Sequence, residues 1–295
     1  MRKILVEHET HYQYQTDVEL AHHLAYLIPL ESDWQKILSS DLSVTPYPDN
    51  QSERQDYFAN KQTFFTLSTP HRALIVKAMS VVEIEDRYAD LNMDGSPDWE
   101  TVRDSLAYSS KRRYLEPSEF CFASPFVPRL TELRDYALQS FLPGRGIAQA
   151  SVELSTRIHT DFKYSDAATE VHTPILEAFQ KRAGVCQDFS HILIGCLRAI
   201  GLSAQYVSGY LMTRPAPGKE KLRGADASHA WVSVYCPGAP GQWLELDPTN
   251  NMVVGLDHVR VAIGRDFGDV SPLRGVIRGG GDHTLQIAVT TEIVS

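Results

Sequence analysis

The run Gly184-Val185-Cys186-Gln187-Asp188-Phe189-Ser190-His191 decides how the rest of the chain is read. From it, Phe189, Ile192, Leu193, Cys196, Leu197 and Ile200 recur at three- and four-residue steps, the stripe of a helix buried along one face. Gly201 is a natural stop for that helix, and Gly184 permits a tight turn into it. The expected helix spans about 186–200, with Cys186 in its first turn. Unpaired backbone N–H groups and the positive end of the helix dipole favour a negatively charged sulfur there. Local sequence leaves two readings, a nucleophile or a core thiol that happens to open a helix.

Downstream, Ser228-His229-Ala230-Trp231-Val232-Ser233-Val234-Tyr235 alternates, with Ala230, Val232 and Val234 on one face. Gln242-Trp243-Leu244-Glu245-Leu246-Asp247 alternates likewise, with Leu244 and Leu246 together. Cys236-Pro237-Gly238-Ala239-Pro240-Gly241 between them fits a hairpin loop. Matching the apolar faces pairs Val232 with Leu244 and Ala230 with Leu246, which sets His229 opposite Asp247. Directly opposed side chains have Cβ atoms about 4.5–5.5 Å apart, close enough for a carboxylate–imidazole hydrogen bond. Such a carboxylate fixes the imidazole tautomer, and the imidazole can then take a thiol proton and return it to a leaving group. An exposed His–Asp pair at strand ends is the plainer reading.

The segment Ala183–Leu211, the strand His229-Ala230-Trp231-Val232 and the end Asp247-Pro248-Thr249 resemble the core of bacterial transglutaminase-like proteins. The steps of 43 residues from Cys186 to His229 and 18 from His229 to Asp247 are compact, as in that superfamily and unlike the wider Cys-to-His gap of papain. Roughly the first ninety residues resemble the β-rich amino-terminal region of many of these proteins, so the likeness runs over nearly the whole chain. The resemblance implies a papain-like fold and a Cys186–His229–Asp247 triad that attacks an amide carbonyl, forms a thioester and passes the acyl group to water or an amine. It brings Asp188 and His191 with it, as supporting residues or as direct participants. Trp231 and Trp243 share the strand face of His229 and Asp247, where they either wall a cleft or simply pack. The oxyanion hole is expected to use the Cys186 backbone N–H, with its second donor unplaced.

Composition narrows the partners. The 295 residues carry 28 Lys and Arg against 37 Asp and Glu, a formal charge of −9. Nucleic acid and anionic membranes demand a basic face, and the longest basic run is Lys111-Arg112-Arg113, so neither is an expected partner. No apolar run approaches the roughly 18 residues of a membrane span. Ile4-Leu5-Val6 is followed by a charge and makes no signal-peptide core, so the expected location is cytoplasmic. Cys121, Cys186, Cys196 and Cys236 contain no CxxC pair, hence no zinc pattern and no disulfide framework. Asp90–Gly95 copies the opening of a calcium loop but has Thr101 where the closing Glu belongs. No metal or organic cofactor is expected.

Residues 1–95 read as strands near Ile4–Tyr14, Leu42–Val44, Gln62–Leu67 and Leu74–Val82, a small β-sandwich-like domain. From 96 to 295, helical patterns at 130–141 and 147–162 precede the Cys186 helix, and strands follow, with Gly279-Gly280-Gly281 expected to bend a hairpin. The expected fold class is α+β: a papain-like, transglutaminase-like core whose nucleophile helix packs on an antiparallel sheet. The expected activity is cysteine-dependent acyl transfer or hydrolysis at peptide or isopeptide amides of a peptide or protein substrate. Protease or amidase chemistry takes slight precedence over glutamine–lysine crosslinking, since no secretion signal is read. A third reading is an interaction module that keeps the fold without the activity.

Overall fold

The computed structural model describes residues 1–111, 113–213, 224 and 228–294; Arg112, the centre of the basic run, lies outside them. Five strands open the chain: β1 (Arg2–Ala25), β2 (Gln35–Thr45), β3 (Asn50–Gln55), β4 (Lys61–Leu67) and β5 (His71–Ile84). Helices α1 (Trp99–Leu106), α2 (Thr131–Ala137), α3 (Ile147–Asp161) and α4 (Ile175–Lys181) follow, with the two-residue strands β6 (Lys163–Tyr164) and β7 (Ala183–Gly184). Next come α5 (Cys186–Ala199), β8 (Ala204–Leu211), β9 (Ser228–Tyr235), β10 (Trp243–Asp247), β11 (Met252–Val253) and β12 (His258–Gly264). The short helix α6 (Phe267–Val270) leads to β13 (Leu273–Gly279) and β14 (His283–Ile293). Among the described residues no helix is long and apolar enough to cross a membrane.

β1 is the hub of the amino-terminal sheet. Its residues 2–13 pair with β5 on one side, and residues 4–14 pair with β14 on the other; residues 18–25 pair with β13, and 21–25 with β4. Register shifts after Gln13 and Val18 mark the bend between the two halves. Tyr14, Val18, Phe65, Leu67, Leu74 and Val76 from the different strands then share one core, which is the sandwich-like character of this β-rich region.

β13 and β14 fall within 96–295, the span expected to form the catalytic unit, yet they extend the amino-terminal sheet. Alternation identifies a strand but says nothing about which sheet receives it. Gly279-Gly280-Gly281, all at positive φ, do not turn the expected hairpin: β13 and β14 both pair antiparallel with β1, and the glycines interrupt one run along it.

The second sheet runs β11-β10-β9-β8-β12 and is antiparallel throughout, with α5 packed on β8 and β9. The expected α+β arrangement, a helix bearing Cys186 packed on an antiparallel sheet, is therefore present, and α5 begins at Cys186 as its apolar stripe requires. The β9–β10 register differs from expectation by two residues: Leu246 faces Val232 and Leu244 faces Val234. A pattern of period two looks the same after a slip of two, so apolar matching cannot choose between the two registers. Asp247 consequently stands level with Trp231 and diagonal to His229.

The two sheets share a core, with Ile4, Val6, Val82, Ile84 and Val289 packing among the residues of α5, β8 and β9. β12, an edge of the second sheet, has its outward backbone groups capped by amide side chains of the first region. Gln35 donates to Arg260 O (2.7 Å) and accepts from Arg260 N–H (2.8 Å). Asn60 does the same with Ile263, at 2.7 and 2.8 Å. These bonds mimic a strand partner and close an edge that would otherwise be open. Asn60→Leu leaves both Ile263 groups unpaired in the interior and is expected to cost about 2–3 kcal/mol, read from urea unfolding. A loss under about 0.5 kcal/mol would mean the amide caps contribute little.

Candidate active site

Gly184 and Asp188 set the geometry that presents Cys186. The Asp188 carboxylate folds back to accept the Val185 N–H (2.8 Å) and the Thr169 hydroxyl (2.6 Å), so the chain enters α5 through a fixed turn. A Cβ at position 184 would lie 2.7 Å from Asp188 Cγ, which is why glycine stands there. Burial pushes the Asp188 carboxyl upward, against the lowering pull of those two hydrogen bonds. At the far end of α5, buried Arg198 donates to the carbonyls of Phe120 (2.8 Å), Ala204 (2.8 Å) and Arg265 (2.7 Å) and so pins the helix in place. Cys186 is half-buried, whereas Cys121, Cys196 and Cys236 are buried, and all four are unpaired. Burial pushes the Cys121 and Cys236 thiols up to about 11, and Cys196 is raised further still.

Cys186 and His229 line one cleft of about 470 Å³, within hydrogen-bonding reach of each other. His229 Nε2 donates to Asp247 Oδ2 at 2.7 Å. The cross-strand pair thus forms despite the shifted register, through a diagonal contact. Asp247 is fully buried and accepts from five donors. Its Oδ1 takes the N–H groups of Thr249 (3.0 Å) and Asn250 (3.1 Å). Its Oδ2 takes Asn250 Nδ2 (2.7 Å) and His258 Nε2 (3.2 Å) besides His229.

Asn250 and His258 were not among the expected residues. Asn250 had a local cue, since an Asp two or three residues before it often caps a turn. His258 had none, because it sits on β12, two strands away from β9. It reaches Asp247 because β8 carries Gly209 between them. A Cβ there would lie 2.5 Å from the Trp231 ring, so the bare backbone lets Trp231 and His258 lie across the strand. His229, Asp247 and His258 each offer one atom within 4.8 Å of the others, a spacing a metal ion could use, but the same atoms are engaged in these hydrogen bonds.

The remaining expected residues lie elsewhere. Trp231 is buried and does not line the cleft: its ring packs edge-on to His258 (5.2 Å) and its Nε1–H donates to Glu245 (2.9 Å). Trp243 packs on Tyr235 and Phe120 beside a separate depression lined by Tyr57 and Phe58. His191 is sealed on the inner side of α5, where Nε2 accepts the Phe267 N–H (3.2 Å) and burial pulls it down to about 3. Tyr206, which the sequence reading did not single out, lines the cleft, and burial together with the nearby Cys186 and Asp188 charges keeps its hydroxyl protonated.

Burial alone would lower His229, but its hydrogen bonds to Asp247 and Cys186 prevail and lift it to about 10. Burial would raise Asp247, yet the bonds from His229 and His258 hold it well below the usual carboxylate range. The sign for stability follows. Folded His229 keeps a proton that the unfolded side chain loses above about pH 6.5, so this contribution is complete below about 6.5 and vanishes as pH rises through about 10. Unfolding free energy should fall more steeply between pH 6.5 and 10 in wild type than in His229→Gln. Parallel slopes would show that His229 is not charged in the folded protein.

A family model described as Bacterial transglutaminase-like N-terminal region matches residues 4–83, and one described as Transglutaminase-like superfamily matches residues 143–248. A protein of Mycobacterium tuberculosis is 38% identical over 295 residues, covering 98% of this chain and 91% of its own. One from Mycobacterium leprae is 28% identical over 291 residues, covering 98% of each. The crystal structure of a "putative cysteine protease" from Cytophaga hutchinsonii aligns with a TM-score of 0.75 at 19% identity, over 100% of this chain and 91% of that one. At that identity the likeness is one of fold. With both halves matched in order along the sequence, the chain belongs to the transglutaminase-like superfamily.

Proposed function

We propose that this protein is a cysteine acyl-transfer enzyme that attacks peptide or isopeptide amides, with Cys186 as nucleophile, His229 as general acid and base, and water as the usual acceptor. The observation that carries this reading is the convergence of half-buried Cys186 and His229 in one cleft, with His229 held from behind by the saturated Asp247 carboxylate. The Cys186 thiol gives its proton to His229, and the sulfur adds to the amide carbonyl carbon. The resulting oxyanion is met by the Cys186 backbone N–H, and Tyr206, which lines the same cleft, is our candidate for the second donor. As the C–N bond breaks, His229 protonates the departing amine and leaves a thioester. Water, deprotonated by His229, then displaces the sulfur, releases a carboxylic acid and restores the thiol. Transamidation differs only in that an amine replaces water in the last step. Asp188 and His191 support the nucleophile helix from positions away from the reacting atoms. The four unpaired cysteines support a reducing setting such as the cytoplasm for the reaction.

The test uses wild type, Cys186→Ala and Asp247→Asn with peptide libraries, with and without a primary amine, read by mass spectrometry. Wild type should release free acids, Cys186→Ala none, and Asp247→Asn should lower kcat by at least about 10²-fold. Amine adducts in place of acids would convert the assignment to crosslinking. Absence of any product, with iodoacetamide labelling Cys186 no faster than Cys121, Cys196 and Cys236, would favour a non-catalytic module.

A further inference from the structure

About a third of the residues lining the cleft around Cys186 come from the amino-terminal sheet. One face of β1 carries Ile4, Val6, His8, Thr10 and Tyr12 at alternate positions. Ile4 and Val6 pack into the shared core, and the same face then continues as His8, Thr10 and Tyr12 along the cleft. β14 runs beside it in register, with Thr10 opposite Ile287 and Tyr12 opposite Leu285. Leu285 and Ile287 face the cleft while 47% and 52% exposed, and on the other rim Val171 is 49% exposed. Scattered exposed apolar side chains are ordinary; three around a single nucleophile-bearing hollow are a surface awaiting cover.

The chemistry of the lining is one-sided. Charged residues make up 22% of the chain, yet among the described residues that line this cleft none is Asp, Glu, Lys or Arg. His8 and Thr10 on the β1 wall are already paired: His8 Nδ1 meets Tyr210 Oη at 2.9 Å, and its Nε2 meets Thr10 Oγ1 at 3.0 Å. Burial pulls His8 down to about 4, so that wall is uncharged at neutral pH. Across His172, which borders both spaces, a second hollow of about 410 Å³ is lined by Pro125, Phe126, Pro128, Leu130, Ile175 and Leu176. It too is apolar.

We infer that the amino-terminal sheet forms the specificity wall of the acyl-donor site, and that the substrate presents an uncharged, apolar stretch of peptide beside the reacting carbonyl. Leu285, Ile287 and Val171 cover the side chain next to that carbonyl, and the hollow beyond His172 receives a neighbouring apolar one. Away from His229, a charged side chain entering the same space would lose its water without gaining a charged partner among the described residues. This inference rests on Cys186 being the nucleophile proposed above.

The test uses the full chain and three irreversible probes: benzyloxycarbonyl-Ala-Phe, -Ala-Asp and -Ala-Lys chloromethyl ketones. Labelling rates at Cys186 are read by intact-mass spectrometry and divided by each probe's rate with free glutathione, then by the protein's rate with iodoacetamide. The Phe probe is expected to lead the Asp and Lys probes by at least about tenfold. In Ile287→Asp, and separately in Val171→Asp, that lead over the Lys probe should shrink by about tenfold or reverse. Both positions are exposed, so both variants should retain the fold. Equal ranking of the three probes, or a ranking unmoved in both variants, overturns the inference. If the Phe probe leads but no amide is cleaved or transferred, the acyl-transfer reading fails and the apolar wall stands. If amides turn over with no preference for apolar residues, the wall alone fails.

Discussion

Asp247 is a carboxylate without solvent contact, and such a charge persists in an interior only when donors surround it. Its donors come from separate parts of the chain: His229 on β9, Thr249 and Asn250 in the turn after β10, and His258 on β12. All must arrive together. The apolar faces of β9 and β10 would pack equally well after a slip of two residues, but that slip would carry Asp247 away from His258 and leave a buried charge short of partners. The polar constraint, worth several kcal/mol when broken, selects the register that the hydrophobic pattern leaves degenerate. The geometry of the site and the pairing of the sheet are one problem with one solution.

β10 carries a second buried carboxylate two residues earlier, on the same face. Glu245 accepts Trp231 Nε1–H at 2.9 Å, lies 2.9 Å from Arg87, and is bonded by Arg260. Burial would raise it, but Arg260 and Arg87 hold it below its ordinary value. Arg87 follows β5 and Arg260 lies on β12, so this cluster ties the amino-terminal region to the second sheet beneath Trp231. Gln35 and Asn60 tie the same regions along the β12 edge. The cleft wall built from β1 and β14 therefore rests on a joint fixed by buried charge, paired amides and a shared core. That joint sets the distance from Leu285 and Ile287 to Cys186.

Much of this was legible in the sequence because it is local. The stripe from Phe189 to Ile200 announced α5, and the alternation around His229 and Asp247 announced two strands with both groups on one face. Family motifs added the order of the three residues and the β-rich start. What was not legible depends on long-range placement. Period-two patterns hide a two-residue slip, so His229 and Asp247 met diagonally rather than face to face. The strands at 273–293 had the right composition but no mark of their partner, and β1 could be recognised as a strand without any sign that both its edges are occupied. Trp231 and Trp243 shared the face of the site, yet one is sealed in the interior against His258 and the other lies at the far end of β10, because a strand face is longer than a cleft.

The hydrogen bonds also determine which nitrogen of His229 meets the sulfur. Gly255 N–H donates to His258 Nδ1 at 3.5 Å, so the proton of a neutral His258 belongs on Nε2, which points at Asp247. Thr249 and Asn250 likewise offer only N–H groups. A carboxylate surrounded by donors has no reason to carry a proton of its own, so it stays anionic and His229 Nε2 must also donate to it. The ring nitrogen left to exchange a proton with Cys186 is then Nδ1. A second imidazole that never touches the sulfur thus acts on the first through a shared carboxylate, fixing the orientation of its ring before any substrate arrives.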